Sequence, residues 1–176
     1  MTVEQNFLKC SAQRMRQAHE RLETCARMLD DEQFWLRTGE NANACGNLCL
    51  HLAGNVRQWI LHGVGGQPDM RTRDAEFAAR GGSGKEELLA QLRSTVEEAC
   101  ALIESLPDGR LTEVVHPQNY TVTVLEAIYH VVEHFSLHTG QIIFLTKALT
   151  DRDLGFYAHL KGSGVPPPPP KEREQP

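Results

Sequence analysis

The 176-residue sequence lacks the features that mark several common classes of protein. No stretch approaches the ~18 consecutive apolar residues of a transmembrane helix, and residues 1–10 show no apolar run behind a basic cluster that would indicate a signal peptide. A formal net charge of -5 argues against a general nucleic-acid-binding protein. The five cysteines cannot all pair and lack the spacing of a secreted disulfide scaffold. We therefore expect a soluble, cytoplasmic protein.

Common catalytic motifs are also missing. The zincin motif needs a Glu directly after its first His, but Phe135 follows His134, and Glu133 precedes it. Residues 63–66 are glycine-rich but lack the Lys-Ser/Thr ending of a phosphate-binding loop, and no Gly-x-Ser-x-Gly motif occurs. A di-iron bundle needs Glu-x-x-His pairs on two helices, and the region around His51 offers no such carboxylate. These absences leave the histidines as the main candidates for chemistry.

Apolar residues recur at the three- and four-residue steps of amphipathic helices. The pattern predicts helices over residues 3–29, 44–62, 83–106 and 123–149. Ser83 with Glu86, and Thr123 with Glu126, have the spacing of capping boxes that begin the last two helices. Residues 111–115 give only a weak strand signal. Four helices of about 18 residues or more predict an all-α four-helix bundle.

Two segments lie outside these helices. Residues 67–84 are rich in Gly, Arg and Asp, with a short helix expected at residues 74–79. Long connections in compact domains are often functional, so this segment is a candidate lid. Residues 166–170 are five consecutive prolines, which favour polyproline II and cannot bury a core. We predict one helical domain over residues 1–160 and a disordered tail over residues 161–176.

Three of the eight histidines follow one another at four-residue steps in the last long helix. Such a step rotates by ~40° and rises by ~6 Å, so His130, His134 and His138 share one stripe. Two imidazoles four residues apart can bind one ion at Zn–N distances of ~2.0–2.1 Å. The outer pair, ~12 Å apart along the axis, cannot easily do so. One of the three is therefore expected to face a cavity or to orient a ligand.

A third protein ligand is then expected from another helix, and His51 is the best candidate. Asn47, His51 and Asn55 repeat the four-residue step on the second helix. A polar stripe on an inner face is costly unless it is satisfied, and a metal whose ligands are supported by amide groups would satisfy it. We interpret the remaining four histidines as ordinary surface or hydrogen-bonded core residues: His19, His62, His116 and His159.

The cysteines are not predicted to bind the metal ion. Cys49 lies ~200° around the second helix from His51, so the two cannot face one ion. All five cysteines are interpreted as small buried hydrophobic residues: Cys10, Cys25, Cys45, Cys49 and Cys100. Three arginines could hold an acidic substrate, although a solvated surface position is expected for each: Arg57, Arg71 and Arg73.

The chain resembles the DinB/YfiT-like superfamily of metalloenzymes, through a His in the second helix and His-x-x-x-His-x-Gly-Gln in the last. The matching segments are residues 47–59 and 133–142, and the overall resemblance covers about residues 3–150. It implies an up-down-down-up bundle and a divalent nickel or zinc ion held by His51, His134 and His138. It also matches Gln141, which we expect to support the site together with Asn47 and Asn55.

Two functions remain open at this level. The first is a metal-dependent S-transferase or hydrolase that acts on a small molecule with a low-molecular-weight thiol, in which His130 moves a proton. The second is a non-catalytic metal-binding or oligomeric bundle in a stress response. A homodimer is expected in either case, with the apolar stripe of the first helix as a possible dimer face. An open coordination position would favour the enzyme, and a fourth protein ligand a structural site.

Overall fold

The computed structural model describes residues 1–160, and the predicted proline-rich tail lies outside the described residues. This part of the chain is mostly helical, which confirms the all-α prediction. Its helices are α1 (Val3–Met28), α2 (Asp31–Trp35), α3 (Cys45–Val56), α4 (Arg73–Ala78), α5 (Lys85–Glu104) and α6 (Val124–Thr150). Strands β1 (Val114–Val115) and β2 (Val122–Thr123) form one short antiparallel pair. Within the described range, no helix combines the length and the hydropathy that crossing a membrane requires.

Side-chain caps explain where some helices begin. Thr123 accepts a hydrogen bond from the backbone N–H of Glu126, whose carboxylate accepts one from the backbone N–H of Thr123. The predicted capping box of α6 is thus confirmed. The box predicted from Ser83 and Glu86 is wrong, because Gly84 is the residue that precedes α5 and no side chain of the described residues caps that end. The Glu86 carboxylate forms an ion pair with α1 instead.

Helix α2 is absent from the periodicity-based prediction, because five residues are too few to show a helical period. Asp30 caps it by accepting a hydrogen bond of 2.8 Å from the backbone N–H of Gln33. The helix buries Phe34 completely and places Trp35 against Gly46, where an added Cβ would lie 2.8 Å from the indole ring. This packing connects α2 to the start of α3.

Helix α3 continues directly into a π-helical segment, Arg57–Val64. The sequence predicts one regular helix here and does not reveal the wider π turns. The segment ends at two glycines, Gly65 and Gly66, and Gly66 has the left-handed φ of 72° that favours glycine at a helix end. π-helical turns within helices occur frequently at functional sites, and this one carries the buried Trp59.

The hydrophobic core lies among α1, α3, α5 and α6. Helix α1 packs against α5 and α6, and α3 packs against the same two helices. The apolar stripe predicted for α5 is buried: Leu88, Leu92, Val96, Cys100 and Ile103. The stripe of α1 is buried as well, including Met15 and Leu22, so it packs inside this chain and is not an exposed dimer face. The homodimer stays a prediction.

Four of the five cysteines are buried and none of the five is in a disulfide, in agreement with the sequence: Cys25, Cys45, Cys49 and Cys100. The prediction is wrong for Cys10, which is exposed. Cys10 lies two residues, or ~200°, from both Leu8 and Ala12, which face the core. The helical geometry therefore turns Cys10 toward solvent.

Candidate metal centre

Three histidines from two helices meet at one point. The Nε2 atom of His51 on α3 lies 3.1 Å from Nε2 of His134 on α6, which lies 3.2 Å from Nε2 of His138. One ligand atom from each of the three residues lies within 4.8 Å of the others. Two nitrogens bound to one ion at ~2.0–2.1 Å with tetrahedral angles lie ~3.3 Å apart. The structure thus brings the three predicted ligands together, and the two distances from His134 are close to the spacing of two ligands on one metal ion.

Hydrogen bonds at Nδ1 orient two of the three rings. His51 Nδ1 lies 3.0 Å from Oε2 of Glu76 and 3.2 Å from Nη2 of Arg71. Because the ionised carboxylate only accepts and gives the shorter contact, we assign the proton to Nδ1, which donates to Glu76. His138 Nδ1 donates to Oε1 of Gln141 at 2.8 Å. A proton on Nδ1 leaves the Nε2 lone pair of a neutral imidazole free to bind a metal. Gln141, predicted to support the site, therefore contacts one of the candidate ligands.

His134 is the central ring of the cluster. Its Nδ1 atom is buried and has no hydrogen-bond partner among residues 1–160. Burial, followed by the neighbouring His138 and His51, lowers the pKa of His134 to about 3. Burial also lowers the pKa of His138, although the hydrogen bond to Gln141 opposes this. Both rings are therefore neutral at pH 7, which is the protonation state that binds metals.

A buried carboxylate, Glu76 of α4, contacts His51 at Nδ1, the ring nitrogen that does not face His134. Its Oε1 accepts a hydrogen bond of 2.8 Å from Arg71 Nε, and its Oε2 accepts one of 2.9 Å from Arg71 Nη2. The side chains of Arg71 and Glu76 are only 3% and 9% exposed. Burial raises the pKa of Glu76, but hydrogen bonds from Arg71 and His51 outweigh burial, and the net pKa lies below its ordinary value. Glu76 is therefore an ionised carboxylate in contact with His51.

Two residues of α3 determine how closely α4 approaches. A Cβ atom at Gly54 would overlap Oε1 of Glu76 and lie 2.9 Å from Nε of Arg71. Asn47 is buried, and its Nδ2 donates to the backbone carbonyls of Glu76 and Ala79, each at 2.9 Å. The hydrogen bonds of the Asn47 amide nitrogen thus hold α4 in place, which differs from the expected direct support of a ligand.

A cavity of about 520 Å³ opens beside the cluster, and its lining includes His51, His134 and His130. The His130 ring stacks on Trp59, with centroids 4.0 Å apart and an interplanar angle of 34°. Its centroid lies 5.5 Å from that of His134. Burial lowers the pKa of His130. His130 is therefore a neutral, cavity-facing ring outside the group of three convergent histidines.

Asn55 faces the same cavity from α3. It is 3% exposed, and its Oδ1 atom has no hydrogen-bond partner in the part of the chain that the structure describes. A buried acceptor without a partner costs ~1–3 kcal/mol, so the Asn55 oxygen is unfavourable in the free protein. A donor group of a molecule in the cavity would satisfy it.

The cavity is also lined by Gln118, which lies in a strained turn. Gln118 and Asn119 have left-handed φ angles of 51° and 65°, which non-glycine residues adopt rarely. The Gln118 side chain accepts a hydrogen bond of 3.2 Å from Trp59 Nε1. Strained residues of this kind cluster at functional sites, where the surrounding structure holds them. Here the strained turn is tied to the ring on which His130 stacks.

The other histidines lie outside the cluster. His62 Nδ1 donates to the carbonyl of Gln67 at 2.6 Å. His116 is exposed and forms a hydrogen bond with Thr121. His19 is buried in α1, and His159 is exposed. The positions of His62, His116 and His159 agree with the sequence interpretation. His19 does not fit it fully, because its buried Nε2 atom has no hydrogen-bond partner among residues 1–160.

The arginine predictions have mixed outcomes. Arg57 is exposed, as expected of a solvated residue. Arg73 is exposed as well, but it lines the cavity, with its guanidinium 5.0 Å from the ring centroid of Phe77. The surface position expected for Arg71 is wrong, because its charge is buried against Glu76.

The sequence does not identify Glu76 as a site residue. Glu76 lies on a separate short helix, 25 residues from His51 in the chain, and no local spacing links the two. The one available signal is Gly54, a glycine inside a predicted helix, which marks a close approach of another group.

These features define a class: a helical protein with a candidate three-histidine metal centre beside a cavity. Within that class, the chain belongs to the DUF1572 family, described as "Protein of unknown function", whose model matches residues 2–162. The fold is similar to a solved structure described as "Crystal structure of the conserved protein of locus from Enterococcus faecalis", with a TM-score of 0.71. The match covers 86% of this chain and 99% of the other, and its 16% sequence identity makes it a likeness of fold alone. No curated protein matches the chain significantly.

Proposed function

We propose that this protein is a metal-dependent enzyme in which His51, His134 and His138 hold one divalent ion, nickel or zinc. The observation that carries the proposal is the convergence of three imidazole nitrogens within 4.8 Å at the wall of a 520 Å³ cavity. When bound, the ion lowers the pKa of a coordinated water or thiol and polarises a carbonyl group. The lowered pKa values of His134 and His138 favour the neutral rings that such an ion requires.

An open coordination position supports an enzyme over a structural metal site. Among the described residues, the candidate ligand group contains three histidines and no fourth His, Cys, Asp or Glu. Structural zinc sites are usually closed by four protein ligands, whereas catalytic sites keep one position for water or substrate. The adjoining cavity gives a small molecule access to that position.

His130 and Asn55 supply the polar groups around the substrate. His130 is neutral at pH 7 because burial lowers its pKa, so its ring can accept a proton from a group in the cavity. Its stacking on Trp59 holds the ring without using its nitrogens. Oδ1 of Asn55, which has no partner within the described part of the chain, accepts a hydrogen bond from the substrate and so orients it.

The proposed reaction is S-transfer with a low-molecular-weight thiol, or hydrolysis of a small molecule. This assignment follows the resemblance to the DinB/YfiT-like superfamily, and with it an up-down-down-up four-helix bundle over residues 1–160 and a cytoplasmic homodimer. The four long helices and the His134 and His138 spacing support the relationship. A thiol suits the site because a divalent ion stabilises the thiolate, which is the nucleophilic form.

Elemental analysis of protein purified without a His tag tests the metal site. We expect about one divalent ion per chain in the wild type, and loss of the ion in His51→Ala and His134→Ala. His116→Ala is the matched control, because His116 is exposed and outside the cluster. Full metal occupancy in both cluster variants would overturn the proposed site.

An assay of thiol addition to small electrophiles and of ester hydrolysis, with metal-loaded and chelated protein, tests the enzyme. We expect His130→Ala to keep the metal but to lose about 10²-fold or more of the rate. Metal-loaded protein that is no faster than chelated protein in these assays would count against the enzyme. That outcome would favour the non-catalytic metal-binding bundle.

A further inference from the structure

We propose that Glu76 is a positioning residue of the metal centre, which orients His51 and couples metal binding to the order of residues 67–84. The inference rests on the proposed metal binding by His51. Glu76 does not belong to the group of convergent ligand atoms, and it acts through the opposite nitrogen of the His51 ring.

The geometry makes Glu76 a directional acceptor for His51. Arg71 holds both carboxylate oxygens, through Nε at 2.8 Å and Nη2 at 2.9 Å, and so fixes the plane of the group. Oε2 is then 3.0 Å from Nδ1 of His51. A carboxylate at this position sets the tautomer of the ring, directs Nε2 toward the metal and raises the basicity of the ligand.

The same contacts connect the ring to a separate segment of the chain. Arg71 and Glu76 both belong to residues 67–84, and Asn47 attaches the backbone of α4 to α3. If α4 moves away from α3, His51 loses the Glu76 carboxylate as its hydrogen-bond acceptor, and the Arg71–Glu76 ion pair becomes exposed to solvent. Because coupling free energies are reciprocal, an ion that prefers the oriented His51 must also stabilise α4 in its docked position.

Stability alone is a weak explanation for this pair. Burying two charges carries a large desolvation penalty, and apolar replacements of buried ion pairs are often neutral or stabilising. Gly54 adds a second unfavourable feature, because glycine inside a helix is less stable than alanine. The missing side chain of Gly54 makes room for the Glu76 carboxylate, and Arg71 holds that carboxylate against His51.

Zinc affinity, measured on the full chain by competition with a chromophoric chelator, tests the positioning role. We expect Glu76→Gln to weaken Zn²⁺ binding by about 10–100-fold and to change the visible absorption spectrum of bound Co²⁺. Asp74→Asn removes one negative charge from an exposed position of the same helix and should change neither property. Equal affinities and spectra in the wild type and both variants would overturn the inference.

A second variant covers the case in which Glu76→Gln fails to fold with Arg71 left unpaired. The double variant Glu76→Gln/Arg71→Met contains no isolated buried charge and is expected to fold, as checked by circular dichroism. It should show the same 10–100-fold weaker Zn²⁺ binding, because the acceptor carboxylate is absent. Wild-type affinity in the folded double variant would show that the pair has a structural role only.

Amide hydrogen exchange tests the coupling to α4. In the wild type, Zn²⁺ at 100 times its Kd should slow exchange of the α4 amides by up to ~100-fold, and in Glu76→Gln it should do so much less. Metal binding that depends on His51 but leaves α4 exchange unchanged would refute the coupling while the metal site stands. Metal binding that does not depend on His51 would instead refute the proposed site.

Discussion

Helices α1 and α3 pack against the same two partners, α5 and α6, but present different inner faces. The inner face of α1 is mainly apolar, with Met15 and Leu22 fully buried. The inner face of α3 includes buried Asn47, His51 and Asn55. The ion pairs of α1 lie at the surface, as in Arg16 with Glu104, whereas His51 contacts a buried carboxylate.

Within one core, the α1 side therefore mainly stabilises the fold, whereas the α3 side contains the polar groups of the candidate site. Apolar burial contributes ~25 cal/mol per Å², and most of the inner face of α1 is apolar. His19 is an exception, because its buried Nε2 has no hydrogen-bond partner among residues 1–160. On the α3 side, Oδ1 of Asn55 and Nδ1 of His134 have no hydrogen-bond partner among residues 1–160, and a buried polar atom left without a partner costs ~1–3 kcal/mol. The apolar contacts of α1 offset this cost, which allows the polar groups of α3 and α6 to remain available to a ligand.

The largest effect on folding is expected on the α1 side. Leu22→Ala should lower the free energy of unfolding by ~2–5 kcal/mol, because it leaves a cavity at a fully buried position. Chemical denaturation measures the change, and zinc affinity should stay at the wild-type value. A loss below ~1 kcal/mol would show that α1 is less important to stability than its burial indicates.

On the α3–α6 side, the metal itself should supply stability. Zn²⁺ at 100 times its Kd should raise the free energy of unfolding of the wild type by ~2.7 kcal/mol, since the ion binds the folded state. His134→Ala should lose this increment, while His116→Ala keeps it. Denaturation with Zn²⁺ and with EDTA measures both, and an equal increment in the two variants would contradict the site.

Two glycines in helices should respond in opposite directions. A Cβ atom at Gly140 on α6 would meet no atom of residues 1–160 within 4 Å, so Gly140→Ala should stabilise the protein by ~0.5–1 kcal/mol. Gly54→Ala forces a Cβ atom into Glu76 and should destabilise it by ~1–3 kcal/mol. Thermal unfolding measures both, and stabilisation by Gly54→Ala would mean that the pair moves aside freely.

His19 should make the α1 side sensitive to acid. Burial lowers its folded-state pKa below the ordinary value of ~6.5, although Glu23 partly opposes this. The unfolded chain therefore binds the proton first, and the stability that neutral His19 provides is lost as the pH falls from ~6.5 through the folded-state pKa. His19→Leu in EDTA should lose less stability than the wild type between pH 8 and 5. Parallel pH profiles would contradict this assignment.

The smallest effect is expected from the surface ion pairs of α1. Arg16 and Glu104 have side chains 32% and 40% exposed, and their coupling should be ~0.2–1 kcal/mol in a double-mutant cycle with alanine. Salt should reduce it further. A coupling well above ~1 kcal/mol would show that this surface ion pair of α1 contributes more to stability than exposed ion pairs do, contrary to the proposed difference between α1 and α3.

Much of the helical framework could be predicted because its signals are local. Apolar periodicity located the long helices, and the Thr123 and Glu126 spacing located one helix start. The failures involve competition between local and distant partners. Glu86 has the spacing of a cap but pairs with α1, and Arg71 has the charge of a surface residue but is buried against Glu76. Local spacing cannot reveal which partner prevails.

The sequence by itself determined which residues share a helix face: His134 with His138, and Asn47, His51 and Asn55 on a second helix. A four-residue step places side chains on one stripe whatever the rest of the chain does. Only the tertiary structure decided that the two helix faces pack against each other and that Glu76 contacts Nδ1 of His51. The His51–His134 and His51–Glu76 contacts join residues 83 and 25 positions apart. Such contacts depend on how the helices pack, which no local spacing specifies.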